Sequence, residues 1–181
     1  MVEHLEETTA NASFDELIAA ADAGCVSAQE RVGFALAKGQ GRDPLRAAHY
    51  YELAACQNSV IAQHNLACMY QQGDGVARDI GKALHWFKKA AERSDVDSQF
   101  NLAMIYDKGT QVTPNMEEAL RWYQAAAENG SARAQYDLAC IYLHGRGVAK
   151  NMEAAVFWYT KAAAQGLKRA EDHLVLLRNM L

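Results

Sequence analysis

Residues 62–76 read AQHNLACMYQQGDGV, and residues 134–148 repeat this text as AQYDLACIYLHGRGV. A degenerate copy of the same pattern lies between them, and the tryptophans Trp86, Trp122 and Trp158 follow at a constant spacing of 36 residues. Tandem units of this length are typical of helical repeat proteins, in which each unit buries its apolar face only against its neighbours. The sequence therefore predicts an all-α solenoid.

Each unit carries the pattern of two amphipathic helices. Apolar residues recur at helical spacing, as at Ala62, Leu66, Met69 and Tyr70 in the second unit. We place four repeats at about 26–57, 60–93, 96–129 and 132–165. Their helices are placed at 26–38 with 44–57, 60–72 with 80–93, 96–108 with 116–129, and 132–144 with 152–165.

The two ends of the chain depart from the full repeat. Ser13 and Glu16 form a capping-box pattern at the start of a helix that matches only the second half of a unit. Residues 1–12 show no periodicity and are predicted to be a flexible tail, followed by one repeat domain over 13–181. The segment 168–181 is predicted to be a capping helix on the last repeat, with an exposed docking or dimer surface as the alternative.

The repeat spacing also predicts the core and the links between helices. We expect one large aromatic residue in each unit to fill the space between units. These are Tyr50, Trp86, Trp122 and Trp158. The Gly-x-Gly link at Gly73 and Gly75 is predicted to be a tight turn, because no strand precedes it and no Gly-Lys-Ser/Thr follows. Polar residues are expected to cap the second helices, at Asp43, Asp79, Asn115 and Asn151.

Composition and charge exclude several classes of protein. Half of the 181 residues are hydrophobic, which is typical of a globular protein, and the formal net charge of −4 argues against nucleic-acid binding. No apolar run is long enough to span a membrane, and no basic leader opens the chain, so we expect a cytoplasmic protein without membrane insertion. Four scattered cysteines indicate neither a disulfide framework nor a zinc motif, and no cofactor is predicted.

The unit A-x-x-x-L-A-x-x-Y-x-x-G-x-G-V-x-x-D/N-x-x-x-A-x-x-W-Y/F-x-x-A-A resembles the Sel-one-like repeat, a relative of the tetratricopeptide repeat. The resemblance covers about residues 14–178. It implies a right-handed α/α superhelix of four helix pairs, with a half-repeat helix before them and a capping helix after them. It also implies work as an adaptor in bacterial protein complexes. Secreted family members with a disulfide in each repeat carry paired cysteines, which this chain lacks.

Candidate binding residues lie where the first helices depart from the repeat consensus, on the surface expected to be concave. They are Arg31, His64, Asn65, Gln72, Phe100, Asn101, Met104, Lys108, Tyr136, Asp137 and His144. Asn65 and Asn101 matter most, because the same site in tetratricopeptide relatives holds a peptide backbone, although two asparagines could also merely solvate a helix. The column runs from Arg31 to Asp137, so we expect the negative end of a bound peptide near the first repeat.

Two pairs of residues could carry chemistry, since His64 with Cys68 and Cys140 with His144 are four residues apart on a helix. A nucleophile also needs an orienting acid and an oxyanion site, and zinc needs four ligands. We therefore predict no catalytic residue and no metal site.

The sequence thus predicts a non-enzymatic adaptor that binds a peptide or protein segment in a groove. One alternative is a chaperone or regulator of a secreted or envelope protein. A second is a hydrolase of the type attributed to some secreted family members. Self-association through the C-terminal helix is a further alternative.

Overall fold

The structure is a computed structural model and describes residues 12–39, 41–109 and 112–179. These residues form ten α-helices and no strand. The helices are α1 (Phe14–Asp22), α2 (Val26–Lys38), α3 (Pro44–Cys56), α4 (Val60–Gln72), α5 (Ile80–Ala91), α6 (Val96–Lys108), α7 (Met116–Glu128), α8 (Ala132–His144), α9 (Met152–Ala164) and α10 (Lys168–Arg178). The predicted all-α architecture of helix pairs with a single helix at each end is confirmed.

The helices fall into two compact units, divided after Arg93. In unit 1, which contains α1–α5, each helix packs on the next along the chain. Unit 2 contains α6–α10 and has the same arrangement. The predicted tail lies outside the described residues except for Ala12, and one domain over 13–181 stays a prediction.

Polar caps explain why the helices begin where they do. The Ser13 and Glu16 pair forms the predicted capping box, with the Glu16 backbone N–H donating to Ser13 Oγ at 3.3 Å. All four predicted caps of the second helices accept a backbone N–H from the third helical residue, and this prediction is confirmed. They are Asp43, Asp79, Asn115 and Asn151. Each such bond satisfies a donor that the helix itself cannot satisfy.

The aromatic core differs from the prediction. Trp122 is buried, at 5% exposure, but Trp86 and Trp158 are only half-buried. The next aromatic residue along the helix is buried in every repeat. This column comprises Tyr51, Phe87, Tyr123 and Tyr159, none of them more than 3% exposed. The expectation that the tryptophan column fills the core was therefore wrong at two of its three tryptophans.

Buried glutamines join successive helix pairs inside each unit. In unit 1, Gln63 Nε2 donates to the carbonyl of Ala55 at 3.2 Å, across the turn between α3 and α4. In unit 2, Gln135 Nε2 donates to the carbonyl of Ala127 at 3.0 Å. These bonds tie α4 and α8 to the preceding helix pair, although the buried side-chain oxygen of Gln63 has no partner among the described residues.

The C-terminal helix α10 caps the last pair on one side only. Ala170 and Leu177 are buried in a cluster with Tyr159, and Leu174 packs against it. Val175 and Leu176 on its other side remain exposed. The helix thus caps the last pair, while docking or self-association through its exposed side stays a prediction. The apolar residues Met180 and Leu181 lie outside the described residues.

Candidate functional site

A pocket of 330 Å³ opens in unit 2 between the first helices α6 and α8. The repeat consensus does not dictate the residues that α6 and α8 contribute to it. The lining residues are Met104, Asp107, Lys108, Tyr123, Asp137, Cys140, His144 and Arg146. Four of the predicted site residues, Met104, Lys108, Asp137 and His144, are therefore brought together at one place.

One side of this pocket is held by an ion pair. The Arg146 guanidinium donates to both carboxylate oxygens of Asp107, at 3.1 and 2.9 Å. The Tyr123 hydroxyl donates to the same carboxylate at 3.2 Å. Both bonds from Arg146 come from the single nitrogen Nη2, so this contact is a bifurcated, charge-assisted hydrogen bond. Asp107 and Arg146 therefore form one side of the pocket, where their charges offset each other.

The carboxylate of Asp137 faces the pocket differently, because it makes no hydrogen bond or salt bridge with any described residue. Burial raises the pKa of Asp137, and the negative charge of Asp107 raises it further. The cations Arg146, Arg169 and Lys108 oppose this rise without cancelling it. The ionised Asp137 is thus an acceptor whose lost hydration the protein does not fully replace.

We expect Asp137→Asn to raise the melting temperature at about pH 7. The folded-state pKa lies above the ordinary value of 3.8, so ionisation of Asp137 costs stability above that raised pKa. The wild type loses stability as pH rises from 3.8 through the raised pKa. The difference in melting temperature between the variant and the wild type should therefore fade as pH falls toward 3.8. Thermal unfolding across this pH range measures it. The control is Asp97→Asn, at an exposed site in the first turn of α6, which should give no such gain. A lower melting temperature for Asp137→Asn at neutral pH would contradict the expectation.

Aromatic residues lie beside the pocket on the same helices. The ring of Phe100 meets Tyr123 edge-on, with centroids 6.0 Å apart. Tyr136 meets Tyr159 at 5.5 Å and His173 at 5.4 Å. These rings are half-buried or buried and hold one another in place. Phe100 and Tyr136 therefore support the site as well as presenting a surface.

The equivalent face of unit 1 is more apolar. A shallow pocket of 420 Å³ lies between α1, α2 and α4 and includes Leu17, Arg31, Phe34 and Ile61. Phe34 and Ile61 are exposed by 61% and 59% and both line this pocket, so they form a joint apolar patch. This face offers contact for apolar groups next to the positive charge of Arg31.

The other predicted residues have more local roles. The Asn65 side chain donates to the carbonyl of Ile61, one turn earlier on α4, at 2.9 Å. The amide of Asn101 makes no hydrogen bond with any described residue. His64 meets the buried Phe87 edge-on at 5.8 Å, and Gln72 is exposed at the end of α4. The side-chain oxygen of Asn65 and the whole side-chain amide of Asn101 thus make no hydrogen bond with a described residue.

The model of the Sel1 repeat matches residues 26–59, 60–95, 96–131 and 132–167. These segments cover more than half of the chain and coincide with the four helix pairs. The chain belongs to the Sel1 repeat family. The resemblance stated from the sequence is thereby confirmed. Among curated proteins, none matches this sequence.

Solved structures of Sel1 repeat proteins are similar over nearly the whole chain. A protective antigen of uropathogenic Escherichia coli, which displays this fold, is 33% identical with a TM-score of 0.84. The alignment covers 93% of this chain but only 37% of the antigen. A Sel1 repeat protein from Oxalobacter formigenes is 34% identical with a TM-score of 0.79, over 96% of this chain and 74% of that one. Cysteine-rich protein B of Helicobacter pylori, at 23% identity and a TM-score of 0.55, shares the fold over 68% of this chain and 96% of its own.

Sel1 repeat proteins are generally protein-interaction scaffolds and are typically non-catalytic. In this member, Cys68 Sγ lies 3.5 Å from His64 Nε2, as the helical spacing predicts. Cys140, which has the same spacing to His144, instead lies 3.1 Å from the hydroxyl of Tyr159. Within the described ranges, no three His, Cys, Asp or Glu side chains are grouped to hold a metal ion. No described helix is long and apolar enough to cross a membrane.

Three residues that line the pocket of this Sel1 repeat protein were not predicted from the sequence. They are Asp107, Tyr123 and Arg146. The predicted columns used four positions of the first helices. Asp107 lies on the first helix α6 but outside those columns, Tyr123 lies on the second helix α7, and Arg146 lies in the link after α8. One signal was available, because the middle residue of the Gly-x-Gly link is Asp74 in one repeat and Arg146 in another. In the structure, Asp74 pairs with Arg42 and Arg146 pairs with Asp107.

Proposed function

We propose that this protein is a non-enzymatic scaffold that binds a segment of another protein along its first helices. The pocket between α6 and α8 is the observation that carries the proposal. Its first-helix residues break the repeat consensus, and one of them is a half-buried carboxylate without a partner among the described residues. A scaffold that only stacked its repeats would have no need to leave a charged group in this state.

In the proposed binding, unit 1 provides an apolar contact surface. Phe34 and Ile61 are exposed beside Arg31, and each lies on a first helix. Large apolar side chains that remain exposed beside a charge are common features of protein interfaces. In this proposal, apolar residues of the bound segment contact unit 1, while polar groups contact unit 2. The chain direction expected from the sequence, with the negative end near Arg31, is part of the proposal.

Changing both asparagines, as Asn65→Ala with Asn101→Ala, should weaken partner binding about tenfold, because each amide would lose a hydrogen bond to the bound backbone. Folding should be intact, because both side chains are partly exposed and neither is part of the core. The partner is first isolated by affinity capture from the native cell, and its binding is then measured by calorimetry. Gln124→Ala removes an exposed amide from the second helix α7 and should leave the affinity unchanged. Equal affinity of the double variant and the wild type would remove the asparagines from the site.

A further inference from the structure

We propose that the pocket between α6 and α8 receives a lysine or arginine side chain of the bound segment, with the Asp137 carboxylate as its acceptor. This inference rests on the proposed function and specifies the chemistry of one of its contacts. It concerns unit 2 alone.

The pocket holds two carboxylates, but only one of them is available. Asp107 accepts from Arg146 and from Tyr123, and these bonds occupy both of its oxygens. Asp137 has no hydrogen bond or salt bridge with a described residue. An ionised carboxylate can only accept, so the group that completes Asp137 must be a donor.

The cations around the pocket do not serve as that donor. Arg146 is committed to Asp107. Lys108 and Arg169 act on Asp137 only through their charge, since neither forms a salt bridge with it. Burial and the charge of Asp107 together outweigh all three cations, so a further positive charge would be favourable at Asp137.

Three further lining residues suit the stem of a long basic side chain. Met104, Tyr123 and Cys140 border the same space as Asp137. A lysine or arginine can bury its methylene groups against such a surface while its charged end reaches the carboxylate. A small inorganic cation would make no use of these apolar groups, and an anion would meet Asp137 directly. Charge complementarity and shape therefore favour the same occupant.

The test selects random dodecapeptides, displayed on phage, on the wild-type protein and on two variants. Asp137→Asn removes the charge but keeps the shape, and it is expected to fold at least as stably as the wild type. Asp97→Asn is the matched control on α6, outside the pocket. We expect the wild type and the control to enrich peptides with lysine or arginine at one fixed position. We expect Asp137→Asn to lose that preference.

A labelled copy of the best peptide then gives the size of the effect by fluorescence anisotropy. Replacing its basic residue with norleucine or citrulline should reduce affinity for the wild type about tenfold, as should Asp137→Asn with the original peptide. The altered peptide and Asp137→Asn together should reduce affinity little more than either change alone, since both remove the same contact.

The outcomes separate this inference from the proposed function. Peptides that bind the wild type without a basic position would overturn the inference and leave the proposed function standing. A basic preference that persists in Asp137→Asn would have the same meaning. If no peptide is enriched on the wild type, the proposed function fails, and the inference fails with it.

Discussion

Replacing Trp122 with alanine is expected to lower the free energy of unfolding by about 3–5 kcal/mol. The side chain is 5% exposed, and its indole N–H donates to Glu118 at 3.1 Å. The guanidinium of Arg121 also lies over the ring, 4.8 Å from its centroid. Truncation therefore opens a large cavity and removes a hydrogen bond at the same place. Chemical denaturation, with unfolding followed by circular dichroism, measures the loss.

The repeat supplies a control for this substitution. Trp158 occupies the equivalent position on α9 but is only half-buried. Because less apolar surface returns to water on truncation, Trp158→Ala should cost clearly less than Trp122→Ala. Equal losses for the two variants would mean that burial does not decide the contribution of this column.

The helices could be predicted from the sequence because several local signals agree. Capping residues, glycines at the links and apolar spacing all recur together, so each boundary is specified more than once. The predicted helix over 60–72 is the observed Val60–Gln72, and the one over 96–108 is Val96–Lys108. Second helices end one or two residues earlier than expected, as at Ala91, where no glycine follows to mark the end.

The error in the aromatic core has a geometric cause. Successive residues on a helix point about 100° apart, so periodicity identifies the buried side without deciding which of two adjacent aromatics lies at its centre. Phe87 is fully buried while Trp86 is half-exposed. Tryptophan is also the larger of the two and is seldom buried completely. Only the packing of neighbouring helices could distinguish them.

The repeat pattern allowed only part of the candidate site to be predicted. Residues that break the consensus on α6 and α8 were visible, because a column 36 residues apart can be read directly from the repeat. The contacts that organise the pocket were not visible. Asp107 meets Tyr123, 16 residues away, and Arg146, 39 residues away. Neither separation is a period of the repeat, so only the folded unit shows that these side chains meet.

Residues at the closest contacts of the core are the same in every repeat, whereas first-helix residues of the pocket differ between repeats. In the core, every repeat has alanine at the closest contacts, as at Ala47, Ala83, Ala119 and Ala155, all of which are fully buried. On the first helices, the position equivalent to Asp137 is not constant. It holds Arg31, Asn65, Asn101 and Asp137 in the four repeats. Packing dictates the first set but not the second, so residues on the first helices can differ between repeats while the scaffold is kept.

Replacing Gly75 with alanine is expected to destabilise unit 1 by about 2–5 kcal/mol, because two penalties fall on one residue. Its φ of +74° is a left-handed conformation that residues with a Cβ adopt at a cost. An added Cβ would also lie 2.1 Å from the carbonyl oxygen of Pro44 and 2.8 Å from the backbone nitrogen of Leu45. Backbone atoms at the start of α3 cannot move aside as a flexible side chain could. Thermal and chemical denaturation both measure the loss.

Two further glycines make this test specific. Gly147 occupies the equivalent turn in unit 2 with a φ of +69°, but its added Cβ would meet the side chain of Met116. Since a methionine can change rotamer, Gly147→Ala should cost mainly the backbone penalty of about 1–2 kcal/mol. Gly41, in the shorter link of the first repeat, has open space around it, and Gly41→Ala should change stability by less than about 0.5 kcal/mol. If Gly75→Ala were no worse than Gly147→Ala, the close approach of this turn to α3 would not be what requires glycine there.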